Sequence, residues 1–285
     1  LSNPSADSRP SGSPGKKAGA RRRFRPDIAI AVGLLLIPIG GAAYFFLPQY
    51  SVYSAEGGIV PVRNIGVEGS VNFCYLREGV TRNRFERLSI TQAYPDARFE
   101  PADASAAKRM DDMLKDGEEL RDATLQNALF AAGEQPGGQA GAEADGLPDA
   151  SGEGEFERRL DGLIEETSSY YGDSLGLMVA IGLAEETLNE DFSRDGRYVI
   201  AGTGTMEADR SVGSVGGISD KLRTAADHGV DLFFVPKDKD GFPYEGLSNE
   251  EEAERTAKLL YPRLKVVPVA TLDEALDYLR RLNNE

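Results

Sequence analysis

Residues 198–236 read YVIAGTGTMEADRSVGSVGGISDKLRTAADHGVDLFFVP. The flanks YVIAGTGTM and SVGSVGG predict two strands around the acidic turn EADR, because short apolar runs with β-branched residues end at turn formers. A helix is predicted over 219–228, with Ser219 as N-cap and Gly229 just past its C-terminus. VDLFFVP then reads as a buried strand. Asp220 suits the first turn, where a helix carries about half a positive charge, and Lys221 does not.

The same alternation extends outward. Downstream, SNEEEAERTAKLL predicts a helix capped by Ser248, KVVPVA a strand, and TLDEALDYLRRL a helix opened by a capping box of Thr271 and Glu274. Upstream, FERRLDGLIEETSSYYG leads into DSLGLMVAIGLAEETL, whose Leu177, Met178, Ile181 and Leu188 recur at helical spacing. Alternating strands and helices put the chain in the α+β or α/β class, and α+β with a mixed sheet and flanking helices is the expectation adopted. Residues 103–132 predict a helix weakened at Gly117. Within 51–100, GGIVPV, SVNFCYL and RFERLSITQAYP suggest strands. A Gly-, Ala- and acid-rich stretch at 133–155 predicts a linker.

Charge divides the chain unevenly. Residues 1–27 hold seven Lys/Arg and two Asp, a net of +5, so the formal −15 of the whole leaves −20 on the remainder. A body that acidic repels nucleic acid, and nucleic-acid binding is not expected. The basic Ser/Pro/Gly-rich tail of 1–27 predicts disorder on the cytoplasmic side. It precedes IAIAVGLLLIPIGGAAYFFL (Ile28–Leu47), which lacks any charge and matches a hydrocarbon core of roughly 30 Å. A transmembrane helix over 28–48 follows as an expectation, with everything beyond it extracytoplasmic. A signal peptide cleaved near VYSA is the alternative. The expected order is tail 1–27, span 28–48, membrane-proximal region 49–132, linker 133–155 and a terminal domain 156–285.

Single Cys74 and single His228 exclude an internal disulfide and an ordinary Cys/His zinc site, so neither metal nor cofactor is expected. Cys74 reads as a small strand residue, and His228 as the end of a helix. GTGTMEADRSVGSVGG fits neither phosphate-binding glycine pattern, and DKDG at 238–241 fails the calcium-loop spacing.

Two positions carry chemistry. Ser174 lies at the start of an apolar helix, where its hydroxyl sits beside free backbone N–H groups able to hold an oxyanion. Taken alone, Ser174 reads as a plain N-cap and Lys221 as a solvated surface lysine. Together they suggest a Ser-Lys pair, because a serine nucleophile needs a base and a buried lysine at a helix N-terminus has its amine form favoured.

The segment from about Tyr171 to Leu282 resembles the proteolytic domain of Lon-type serine peptidases, through GDSLGLMVAIGL, the opening stretch and LKVVPVATLDEALDYL. More narrowly it is similar to the membrane-anchored PDZ–Lon-like peptidases of Gram-positive bacteria. That resemblance implies Ser174 as nucleophile, Lys221 as general base, Thr203 as an auxiliary to the lysine, protein or peptide substrates, independence from ATP, and homo-oligomers. Asp173 and Leu175 depart from the proline and alanine of the family's nucleophile loop, and residues 101–165 contain no recognisable PDZ domain. Asp173 would favour the protonated lysine. The competing expectation is therefore a Lon-like interaction or assembly module with impaired catalysis.

Overall fold

The computed structural model describes residues 26–133, 150–237 and 246–284, and the side chains of 28, 29, 150–153, 283 and 284 are outside the description. The expectations for the tail up to residue 25, for most of the linker and for DKDG lie outside the described residues. In chain order the elements are α1 (Pro26–Phe46), β1 (Pro48–Pro61), β2 (Asn72–Asn83), α2 (Arg84–Ala93), β3 (Arg98–Pro101) and α3 (Ala106–Ala131). Then come α4 (Ala150–Glu166), α5 (Gly176–Leu188), β4 (Ile200–Gly202), β5 (Thr205–Met206), β6 (Val212–Gly213) and α6 (Ile218–Asp227). The chain finishes with β7 (Leu232–Pro236), α7 (Asn249–Leu260), β8 (Lys265–Val269) and α8 (Leu272–Asn284).

The chain is α+β. Its main sheet has six strands in the order β3-β1-β2-β4-β7-β8, antiparallel from β3 to β2 and parallel from β2 to β8. Alternation along β7 builds two cores. Leu232 and Phe234 join the residues of α5 and α8, whereas Phe233 and Val235 join Ile218, Leu222 and Ala253 of α6 and α7. Burial on both faces explains why LFFVP is apolar throughout rather than alternating.

The boundary drawn at 133–155 does not divide this body. Residues 46–285 form one compact unit, with Leu1–Phe45 as the other. β2, from the expected membrane-proximal region, pairs in parallel with β4 of the expected terminal domain, and Asn72 Nδ2 donates to Ile200 O at 2.8 Å. Leu125 and Leu129 of α3 are fully buried in the same core as α5. Composition marked a low-complexity linker between domains, but the sheet closes across it.

Three local expectations change. RFERLSITQA is helix α2, not strand: Asn83 Oδ1 accepts from Glu86 N at 2.9 Å, an N-cap with an acid three residues on. α3 runs unbroken through Gly117, which is buried and whose carbonyl accepts from Gly172 N at 3.0 Å. α6 starts at Gly217 (φ 69°) rather than Ser219, because the left-handed turn needs glycine and a Cβ there would lie 2.6 Å from Leu76. Ser219 instead sits inside the first turn, where Glu252 Oε1 accepts from both its N (3.0 Å) and Oγ (2.6 Å). The cap of Ser248 on Glu251 is complete, whereas Glu274 donates to Thr271 and accepts from Ala270 N, one residue earlier than expected.

α1 is helical across most of the expected span, with Ile30, Leu34 and Ile37 exposed. Among the described residues, no helix is long and apolar enough to cross a membrane.

Candidate active site

α5 places Ser174. It is apolar on all sides and buried from Gly176 to Glu185, so its N-terminus is fixed between core layers. The close approach depends on Gly176, where a Cβ would come 2.1 Å from Thr124 Oγ1 and 2.7 Å from Met206 N. At this end Gly176 N donates to Asp173 O at 3.1 Å and Leu177 N to Gly204 O at 3.0 Å. Among the described residues, no acceptor meets the amides of Ser174 and Leu175. The half-buried Ser174 thus stands beside two unengaged donors.

α6 places Lys221. Ile218, Leu222 and Ala225 anchor the helix in the second core, and the turn between Ile218 and Leu222 directs Lys221 inward, 5% exposed. Its Nζ donates to Thr203 Oγ1 at 2.9 Å, and Thr203 in turn donates to Ser174 O at 3.2 Å. Thr203 is fully buried in the gap between β4 and β5, where Gly204 N also donates to Ser174 O at 2.9 Å. The three residues expected from the sequence are therefore linked, through the Ser174 carbonyl. Ser174 and Lys221 also line the same cleft, of about 790 Å³.

Among the described residues, Thr203 is the one hydrogen-bond partner of Lys221 Nζ, and no carboxylate lies within ion-pair distance of it. Burial pushes the lysine below its ordinary range, against the Cys74 thiolate and the carboxylates of Glu78 and Asp173, which would raise it. Burial pushes the Cys74 thiol up to about 12, so near neutral pH it is uncharged and only the two acids oppose. Asp173 is itself raised by burial, despite a bond from its own amide and the pull of Lys221. The expectation that Asp173 favours the ammonium has the right sign, but desolvation outweighs it.

Sequence reasoning missed the walls of the cleft. Tyr53, Tyr75 and Glu78 come from β1 and β2, Tyr171 from the loop before α5, and Leu120 from α3. Glu78 bears on Lys221 and on Tyr171, yet is far from both in sequence. No local pattern marks them, since Tyr75, Leu76, Arg77 and Glu78 line the cleft as four consecutive residues of a strand that does not alternate.

His228 is the C-cap of α6, with Nδ1 at 2.8 Å from Thr224 O, and Cys74 is a buried strand residue. Among the described residues, no cluster of His, Cys, Asp or Glu is placed to hold a metal ion. No model of a known protein family matches the chain, and no curated protein matches it.

Proposed function

We propose that the chain is a membrane-anchored, ATP-independent, Lon-like serine endopeptidase acting on extracytoplasmic protein or peptide substrates. The observation that carries this reading is Lys221, a buried lysine with one neutral hydroxyl partner, sharing a cleft with Ser174. Its amine form leaves a lone pair for the Ser174 proton. Ser174 Oγ attacks the scissile carbonyl, Lys221 accepts the proton and returns it to the leaving amine, and water repeats the sequence on the acyl-enzyme. The amides of Ser174 and Leu175 receive the oxyanion, and Thr203 fixes the lysine. The anchor in this reading is the apolar run Ile28–Leu47, with the basic tail cytoplasmic. It is taken from the sequence alone, because among the described residues no helix is long and apolar enough to cross a membrane.

The test is casein cleavage by the full-length protein beside Ser174→Ala and Lys221→Ala. Each variant is expected to lose at least about 10³-fold in kcat/KM. Wild-type cleavage no faster than either variant, across pH 6–10, sinks the enzyme reading. It would favour a non-catalytic Lon-like module, the reading supported by the opposing pull of Glu78 and Asp173 on the lysine.

A further inference from the structure

α2 is the helix that sequence reading mistook for a strand, and the site has no use for it. None of its residues is buried. Phe85 and Leu88, one turn apart on one face, are 49% and 51% exposed, and the neighbouring Phe46 and Leu47 are 61% and 53% exposed. The Phe46 and Phe85 rings stack at 5.5 Å, so the exposed apolar side of α2 meets the exposed end of the apolar run through these two rings, with Leu47 and Leu88 next to them along the chain and one turn on. Scattered exposed apolar residues need no explanation, but a contiguous patch with a polar border does.

Its place in the fold bears on what covers it. Pro48, which follows Leu47, pairs with Asn83, the N-cap of α2. α2 thus begins one strand spacing, about 4.8 Å, from where the apolar run Ile28–Leu47 leaves the body. Charge agrees. In a chain whose residues after 27 carry −20, the segment 82–87 has Arg82, Arg84 and Arg87 against Glu86 alone. Glu86 is held at the helix start, where its carboxylate accepts from Arg82 N at 2.6 Å and Asn83 Nδ2 at 3.1 Å. Apolar residues on one face and arginines beside them are what a helix lying in a bilayer interface requires.

We propose that α2 lies in the membrane interface, with Phe85 and Leu88 among the acyl-chain ends and Arg82 and Arg84 at anionic lipid headgroups. This rests on the anchored reading. It makes the body's attachment two-point, through the span and through α2, and so fixes how the body faces the membrane.

The experiment places an environment-sensitive fluorophore on full-length Phe85→Cys, Leu88→Cys and, as control, Leu260→Cys, each with Cys74→Ala. Leu260 is 65% exposed on α7. The proteins are reconstituted in phosphatidylglycerol vesicles holding shallow nitroxide-labelled lipid. Quenching at 85 and 88 is expected to exceed that at 260 by about threefold or more, with blue-shifted emission. In phosphatidylcholine vesicles the excess is expected to shrink, because each arginine near an anionic surface contributes about 1 kcal/mol, or about fivefold. Flotation of the protein with the vesicles, with quenching at 85 and 88 no greater than at 260, overturns this proposal alone. Failure to float overturns the anchored reading and this proposal together. Quenching indifferent to lipid charge overturns the role given to the arginines.

Discussion

Two charged side chains on core helices, Glu185 of α5 and Lys221 of α6, are buried to similar extents and treated in opposite ways. Glu185 accepts from Ser70 N at 2.7 Å, Ser70 Oγ at 2.5 Å and Phe192 N at 2.8 Å, tying the loop before β2 and the loop after α5 to one helix. Lys221 has a single neutral partner. Burial drives both toward their uncharged forms, raising Glu185 and lowering Lys221, but only for Glu185 do hydrogen bonds oppose it. A buried charge with its lone pairs filled is a structural joint. One left short of partners is pushed toward its uncharged form, and the fold bears the cost.

The comparison breaks most visibly at Glu185. Glu185→Ala leaves buried donors of the two loops without an acceptor and should lower stability by about 3 kcal/mol in thermal or urea unfolding, with cleavage per folded molecule kept. Glu185→Gln, which must point an N–H at another donor, should fall between. An unchanged melting temperature in both would remove the contrast.

Lys221→Met should do the reverse, abolishing cleavage while stabilising the fold by about 1 kcal/mol at neutral pH. The sign follows from protons bound. The folded lysine releases its proton at lower pH than the unfolded chain, so the unfolded state binds more protons in between, and wild-type stability rises with pH across that window. The stabilising effect of Met should therefore be largest at low pH and disappear as pH passes the ordinary lysine range. A melting difference that is flat from pH 6 to 10 would show that burial does not perturb the lysine.

Asp173→Asn is the finest probe. Removing a charge that raises Lys221 should move the midpoint of the alkaline rise in kcat/KM to lower pH. A midpoint that moves upward would mean that Asp173 acts on the reaction by another route.

What could be read from the sequence was local. Lys221 shows itself as a cation at the wrong end of a helix, and Ser174 as a hydroxyl opening an apolar one. β7, α7, β8 and α8 follow from periodicity and caps. Asn83 and Glu86 carry the local signal for α2, an N-cap with an acid three residues on. Gly217 prevailed over Ser219 as cap because a left-handed turn, met by Leu76 from β2, decides where α6 starts. Least legible was the parallel pairing of β2 with β4, since no local pattern announces a partner more than a hundred residues away. The cleft inherits that opacity: Ser174, Lys221 and Tyr171 come from one side of the linker, and Tyr53, Tyr75, Glu78 and Leu120 from the other.

That pairing has a consequence for the covalent chain. Because β2 and α3 are built into the same sheet and core as β4 and α5, a single cut between residues 134 and 149 would sever the backbone without freeing either piece. The cleft would persist as a joint property of two polypeptides, with Tyr53, Tyr75 and Glu78 on one and Tyr171, Asp173, Ser174 and Lys221 on the other. Proteolytic nicking at that place should thus leave the site assembled, as two complementary fragments held by one sheet and one core.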